Sequence, residues 1–488
     1  MATEPKSTNT QEALGHLIER IPITRIHYLA LFLVVTGGLF EVLEQLILSA
    51  LGPALQDAFG IGAQDLAFLS TATLLAIVAG GVLGGYLADK IGRRGVLAIS
   101  VGIYSLGSVL SAVVPDYTVL ALARVVTGIG VGGEIAVGLT YLSELTPTKI
   151  RGLFVSLFNT VSAGVGMFVA YAYALFVLGP FAALIGAGEN GWRWAFGLLG
   201  IPAVLVFFLR RYLPETPRYL MERGHVHKLN DSLTRLAQGR LRLRQNEQPT
   251  AYFDTADSES IEAAPRTVSP RKENAIRALF EARQRTRTIG LSVAALLAWG
   301  AQFSVIILMP LLLVDRGYSI GGSLTFTMVQ NIGGLLGAIV ASIGAYAFPR
   351  RRMILIGTIL AAISVILFAL FATTPALVMI LGFLFQFCVM LVNTTIWTWA
   401  PELFPTKIRG LGTAVVVNIG FFGGALIPLS SAWFYENLNE FSVFAGIAVM
   451  YVMILLASRF VTETHNVPFE KLHGPATPEP QQTLTNPL

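Results

Sequence analysis

Charge is the scarcest resource in this sequence. Only 13% of its 488 residues are Asp, Glu, Lys or Arg, against about 25% in soluble domains. Hydrophobic residues make up 54% and gather in long runs, which excludes a water-soluble enzyme of this length: it could not hide all those runs. Cysteine is nearly absent. Cys388 stands alone inside an apolar run, which excludes a disulfide framework and leaves a small core side chain. Histidine is sparse, and His225 and His227 merely flank one valine. Two histidines without further ligands do not make a metal site, so neither metal nor cofactor is expected. No nucleophile–base arrangement is found, and an enzyme is not expected. Residues 1–27 are polar, and the apolar run behind them has no small-residue cleavage signature. No removable signal peptide is expected.

What is present is a series of apolar runs, each long enough for the roughly 20 residues that cross a bilayer. We number them as spans 1–6, at about 28–51, 66–87, 96–114, 118–142, 152–178 and 193–212. Spans 7–12 follow at about 289–314, 322–347, 353–373, 375–400, 408–433 and 440–461. The chain therefore divides into a tail (1–27), a six-span body (28–212), a linker (213–288), a second six-span body (289–461) and a second tail (462–488). With twelve crossings, all but three of the 34 Lys and Arg residues fall on one side or at its span edges. Arg193 and Arg316 lie on the other side, and Arg124 lies within a span. Basic residues favour the cytoplasm, so both termini are expected inside, in a multi-pass protein of the cell membrane. The net charge of +5 is then topology rather than nucleic-acid binding. The linker's basic pieces (228–244 and 271–287) and acidic patch (254–262) suit a solvated segment resting on lipid headgroups.

The two bodies are copies. Residues 144–153 read ELTPTKIRGL and residues 402–411 read ELFPTKIRGL, nine of ten positions agreeing at an offset of 258. Arg93 and Arg94 find counterparts at Arg351 and Arg352 by the same offset. Parallel repeats of this kind place a substrate site at their interface near the midplane and alternate access by rocking.

Charges inside the spans matter most, because each costs about 2.5–3.5 kcal/mol to insert at the bilayer centre. Glu41 and Glu44 lie in span 1, one helical turn apart on one face; Arg124 and Glu134 lie in span 4. At the turn after span 2, Asp89 and Arg93 are placed to pair across a helix end.

That turn, GGYLADKIGRR from Gly84 to Arg94, resembles the signature loop of the major facilitator superfamily. Arg124-x-x-x-Gly128-x-Gly130, the Glu144 to Gly152 turn, Pro214-Glu215-Thr216-Pro217-Arg218, and Trp397 five residues before Glu402 resemble its sugar-porter branch. The resemblance implies an all-α membrane protein of twelve transmembrane helices in two six-helix repeats, acting by secondary transport. It implies a gating network of Asp89, Arg93, Arg94, Glu144, Arg151, Glu215, Glu402 and Arg409. The same residues would otherwise mark topology and cap helix ends. Ala347 stands where Asp89 has its counterpart, so a weaker gate is expected in the second half. The resemblance also puts Glu41 at the family's proton-binding acid and Arg124 at its arginine partner. The pair would otherwise be a static tie between spans 1 and 4. Glu134 is expected either to face the cavity or to pair with another helix.

Pocket candidates are Asn159, Trp299, Gln302, Gln330, Asn331, Gln386, Asn393, Trp397 and Asn418. Hydroxyl-rich substrates need several convergent amides, and the amides of sugar porters are poorly matched here. The pattern is closer to metabolite:proton symporters, including those for organic or aromatic acids. The expected function is thus proton-coupled symport of a small organic metabolite by a monomer in the bilayer. The alternatives are a sugar or polyol uniporter or symporter, or a proton-antiport exporter.

Overall fold

The computed structural model describes residues 6–147, 150, 153–154, 157–158, 160–202, 204, 208–209, 212–242, 247–253, 277–405 and 408–465. Among these residues every regular element is a helix. Eleven helices are long and apolar enough to cross a bilayer. Spans 1–4 are Arg25–Ala50, Ala63–Ile91, Arg93–Ala112 and Tyr117–Leu145. Span 5 combines Gly166–Phe176 with wider π-helical turns, Thr160–Val165 before it and Val177–Phe181 around Pro180. A proline removes one backbone donor, and a π turn is a common accommodation. Span 6 is described as Gly191–Leu198 and a few later positions. Spans 7–12 are Ala282–Asp315, Ile320–Ala347, Arg350–Phe371, Pro375–Leu403, Arg409–Asn437 and Glu440–Ser458. Span 7 starts seven residues before the expected position. Its first turns carry Arg283, Arg285 and Arg287, because a helix needs no apolar residues where it stands clear of lipid. Two linker helices, Pro217–Glu222 and Val226–Gln238, follow span 6. The acidic patch 254–262 lies outside the described residues.

The duplication is visible in packing. Span 2 packs closely on span 4, and span 8 does the same on span 10. A methyl group at Gly80 would overlap the Ile129 carbonyl, and one at Gly337 would overlap the Phe387 carbonyl. These contacts correspond at offsets of 257 and 258. Helix starts repeat too: Asp116 caps span 4 by accepting from Val119 N at 3.0 Å, and Thr374 caps span 10 by accepting from Leu377 N at 3.4 Å. Capping oxygens of this kind satisfy otherwise orphaned helix donors.

The turns after spans 2 and 8 lie on one face with the linker helices and the segment after span 12; we term it the terminal face. On the far face, Arg193 donates to the carbonyls of Ala112 (3.1 Å) and Val114 (2.8 Å), at the end of span 3. Arg316 donates to Ala372 at the end of span 9 and pairs with Glu440. Cations favour helix C-termini, which explains why two arginines sit on a side otherwise poor in them. Among the described residues, three hydrogen bonds join the halves towards this face: Ser49 to Ile306 O, Thr71 to Ala425 O, and Gln64 N to Glu436 Oε1 at 2.9 Å.

Candidate functional site

Three groups of side chains occupy the interface between spans and the terminal face. The first is in the N-terminal half. Arg124 is fully buried, and its Nη1 lies 2.9 Å from Glu44 Oε2 while its Nη2 donates to the Glu44 carbonyl at 2.8 Å. Ser108 of span 3 donates to the other Glu44 oxygen, and the guanidinium rests 5.3 Å from the Phe196 ring centre. This corrects the expected pairing: the partner of Arg124 is Glu44, not Glu41. Both acids share one helix face, so the choice depends on a rotation of span 1 that its uniformly apolar sequence leaves open. Glu41 instead accepts from Gln45 at 3.0 Å. Glu134 is buried against Gly37 of span 1, where a methyl group would overlap its Oε1. Its Oε2 makes no hydrogen bond, and the adjacent Tyr104 hydroxyl does not reach bonding geometry. A cavity of about 10 Å³ nearby is lined by Gln45, Ser49, Ser70, Thr73, Phe303 and Ile306, room for one water molecule.

The second group is in the C-terminal half. Asn393 of span 10 donates to Gln302 of span 7, whose own amide lies 3.4 Å from Met390 Sδ. Gln330 and Gln386 are buried, and each has an Nε2 without a partner; the Asn393 Oδ1 is likewise unpartnered. Trp299 and Trp397 face each other with ring centres 5.9 Å apart, tilted by 55°. Trp397 is exposed while Trp299 is buried, so the indole pair runs from the protein interior to its surface. Asn331 and Asn418 bond back to their own helices, at Thr327 O (2.9 Å) and Ala414 O (2.8 Å). Asn159 lies outside the described residues.

The third group holds the turns of the terminal face. Arg93 lies 3.3 Å from both Asp89 and Glu144. Its backbone N–H and that of Arg94 donate to Glu215 at 3.0 and 3.2 Å, and the Arg94 side chain reaches Leu213 O. The second half repeats this around Arg350, which donates to Glu402 through Nε (3.2 Å) and Nη2 (2.8 Å). The N–H groups of Arg350 and Arg351 donate to Glu463 at 3.0 and 2.9 Å. The counterparts of Arg93 and Arg94 are therefore Arg350 and Arg351, at an offset of 257 rather than 258. The sequence passed over Arg350 because three consecutive arginines fit either register. Nor is the second cluster weaker in geometry. It lacks an acid like Asp89, yet its Arg–Glu contact is a two-pronged fork, the stronger form of such a pair. Arg409 opens span 11, and Arg151 lies outside the described residues. Burial pushes the Glu215 carboxyl above its usual value of 4.5 despite its backbone donors. Burial also pushes Glu463 up, but four N–H donors outweigh it and hold this carboxyl below 4.5.

Known proteins resemble this arrangement along most of its length. A putative metabolite transport protein of Bacillus subtilis, YyaJ, is 26% identical over 440 residues, 90% of this chain and 93% of the relative. The niacin transporter NiaP of Acinetobacter baylyi is 27% identical over 443 residues, 90% of this chain and 94% of its own. Among solved structures, the inward-open xylose transporter XylE from E. coli superposes with a TM-score of 0.69 at 21% identity, covering 91% of this chain and 99% of that one. The two six-helix bodies are thus those of the major facilitator fold, with twelve transmembrane helices. The model of the sugar (and other) transporter family matches residues 60–474, and with helices, repeats and terminal-face clusters in agreement, the chain belongs to that family of membrane transporters.

Proposed function

We propose that the protein imports a small organic metabolite together with a proton, an aromatic or heteroaromatic acid being favoured. The observation that carries this reading is the Glu44–Arg124 tie, an ion pair with no exposed atom of consequence, linking spans 1, 3 and 4. Removing one partner of a buried pair costs about 3–5 kcal/mol, so a tie that must open and close needs a proton to neutralise the acid. Protonated Glu44 frees Arg124; deprotonated Glu44 captures it. The opposite half supplies the complement for an aromatic acid. Two indoles offer a stacking surface, and the unpartnered amides of Gln330 and Gln386 offer donors to a carboxylate. NiaP, one of the similar proteins, is a niacin transporter by name. The terminal face is read as cytoplasmic from its basic residues. The contacts joining the halves on the far face then correspond to a state closed to the outside.

A sugar reading is favoured by other relatives, among them an arabinose-proton symporter of Bacillus subtilis. Against it, Gln302 and Asn393 bond to each other and Asn331 and Asn418 to their own helices, leaving few amides for a polyhydroxylated ligand.

Proteoliposomes decide both questions. With an imposed inward proton gradient, nicotinate or benzoate should accumulate and xylose or arabinose should not. Glu44→Gln imitates the protonated acid. It should keep substrate counterflow, which shows a folded carrier, and lose at least tenfold of its uphill accumulation. Accumulation at the wild-type level in Glu44→Gln would refute the coupling.

A further inference from the structure

Glu41 and Glu134 are left over once Arg124 has been assigned to Glu44, and both are buried at bilayer depth. Gly37 and Glu41 stand four residues apart on span 1, so they share one face about one helical turn apart. The Glu134 carboxylate fills the notch that Gly37 leaves in that face. The two acids are near enough to repel each other when both are ionised. The groups around them are Glu44 and Gln45 from span 1, Arg124 from span 4, and Tyr104 from span 3. Arg124 is the only cation of that set, and Glu44 holds it through side chain and backbone. The Tyr104 hydroxyl, wholly buried and without a hydrogen-bond partner, lies among the acids, and the Glu134 Oε2 beside it is equally unpartnered.

We propose that Glu41 and Glu134 share a single proton, forming a carboxyl–carboxylate pair separate from the Glu44–Arg124 tie. The N-terminal half then holds two protonation loci. Two neighbouring desolvated carboxylates do not both ionise. One proton between them removes the repulsion and lets one carboxyl donate to the other. Gln45 donates to Glu41 and also lines the water-sized cavity towards the far face, so that cavity lies between the pair and the joined ends of the halves. Only the use of this proton in transport rests on the symport reading; the pair exists or fails without it.

The test is a carboxyl infrared titration of the full-length protein in lipid nanodiscs, without substrate or gradient. In the wild type, Glu41 and Glu134 should lose their protons in two well-separated steps, because charges that interact titrate as a pair. In Glu41→Gln and in Glu134→Gln, the remaining carboxyl should show one step between those two, displaced at least tenfold in proton affinity from either. Gly37→Ala, which drives a methyl group into the Glu134 site, should draw the two wild-type steps together. Curves should be the same in sodium and choline chloride. If each acid titrates at the same pH whether or not the other is replaced, the pair does not exist. A sodium-dependent shift that disappears in both Gln variants would also overturn it, making the site one for a metal ion. Coupled uptake that persists while the acids titrate independently would refute the pair alone. A coupled pair in a protein whose uptake ignores pH would refute the symport reading alone.

Discussion

At the scale of single residues, one carboxylate position yields two opposite acid responses. Glu215 and Glu463 do the same work in the two halves, each accepting the first N–H groups of a helix. Glu215 is raised above 4.5 by burial, so its folded form prefers the proton; its contribution is full below pH 4.5 and is lost as pH rises through the raised value. Glu463 is held below 4.5 because its four N–H donors outweigh burial, so its contribution is present above pH 4.5 and is lost as pH falls through the lowered value. Thermal melting between pH 4 and 7 should therefore show Glu463→Gln least stable relative to wild type at neutral pH, the difference narrowing on acidification. Glu215→Gln should show the reverse trend, its relative stability improving as pH rises. Parallel curves for the two variants would contradict the assignment. Such environments were not legible in the sequence, since both acids follow a span in a similar short motif. The same is true of Glu44 against Glu41. Their chemistry was evident from their depth in span 1, but their partners depend on a helix rotation that an apolar run does not encode.

At the scale of elements, the glycines of span 4 set how closely its neighbours approach. A methyl group at Gly132 would overlap the Ile77 carbonyl of span 2, whereas one at Gly85 meets nothing within 4 Å. Replacing glycine by alanine within a helix gains up to about 1 kcal/mol of propensity, and overpacking costs about 1–3 kcal/mol. Overlap with backbone decides the sign at Gly132, because a main chain has no alternative rotamer. Gly132→Ala should lower the melting temperature in detergent by several degrees, and Gly85→Ala should leave it unchanged or raise it slightly. Equal effects at the two positions would show that contact between spans 2 and 4 does not limit stability. Spans themselves were the most legible feature, since hydropathy alone marks them. Their ends were less so: span 7 continues into a basic stretch that hydropathy reads as linker, and helix geometry ignores that boundary.

At the scale of the whole molecule, the duplicated decapeptide announced two similar halves, and the halves repeat even in caps and close contacts. How they meet was silent in the sequence, because contacts between halves differ from those within each half and follow no repeat. Glu436, at the end of span 11, caps the first turn of span 2 across that boundary by accepting from Gln64 N. Carboxylates at helix starts are favourable by about 0.3–1 kcal/mol when exposed. Glu436→Gln should weaken this junction. Spin labels at Asp57 and Leu438, both exposed, should report a larger share of long distances in the variant than in the wild type. An unchanged distribution would mean that the cap does not bias the two arrangements. The cap has a further consequence for turnover. A helix start borrowed from the opposite body is left bare whenever the bodies part there, so opening that face hands a backbone donor over to water.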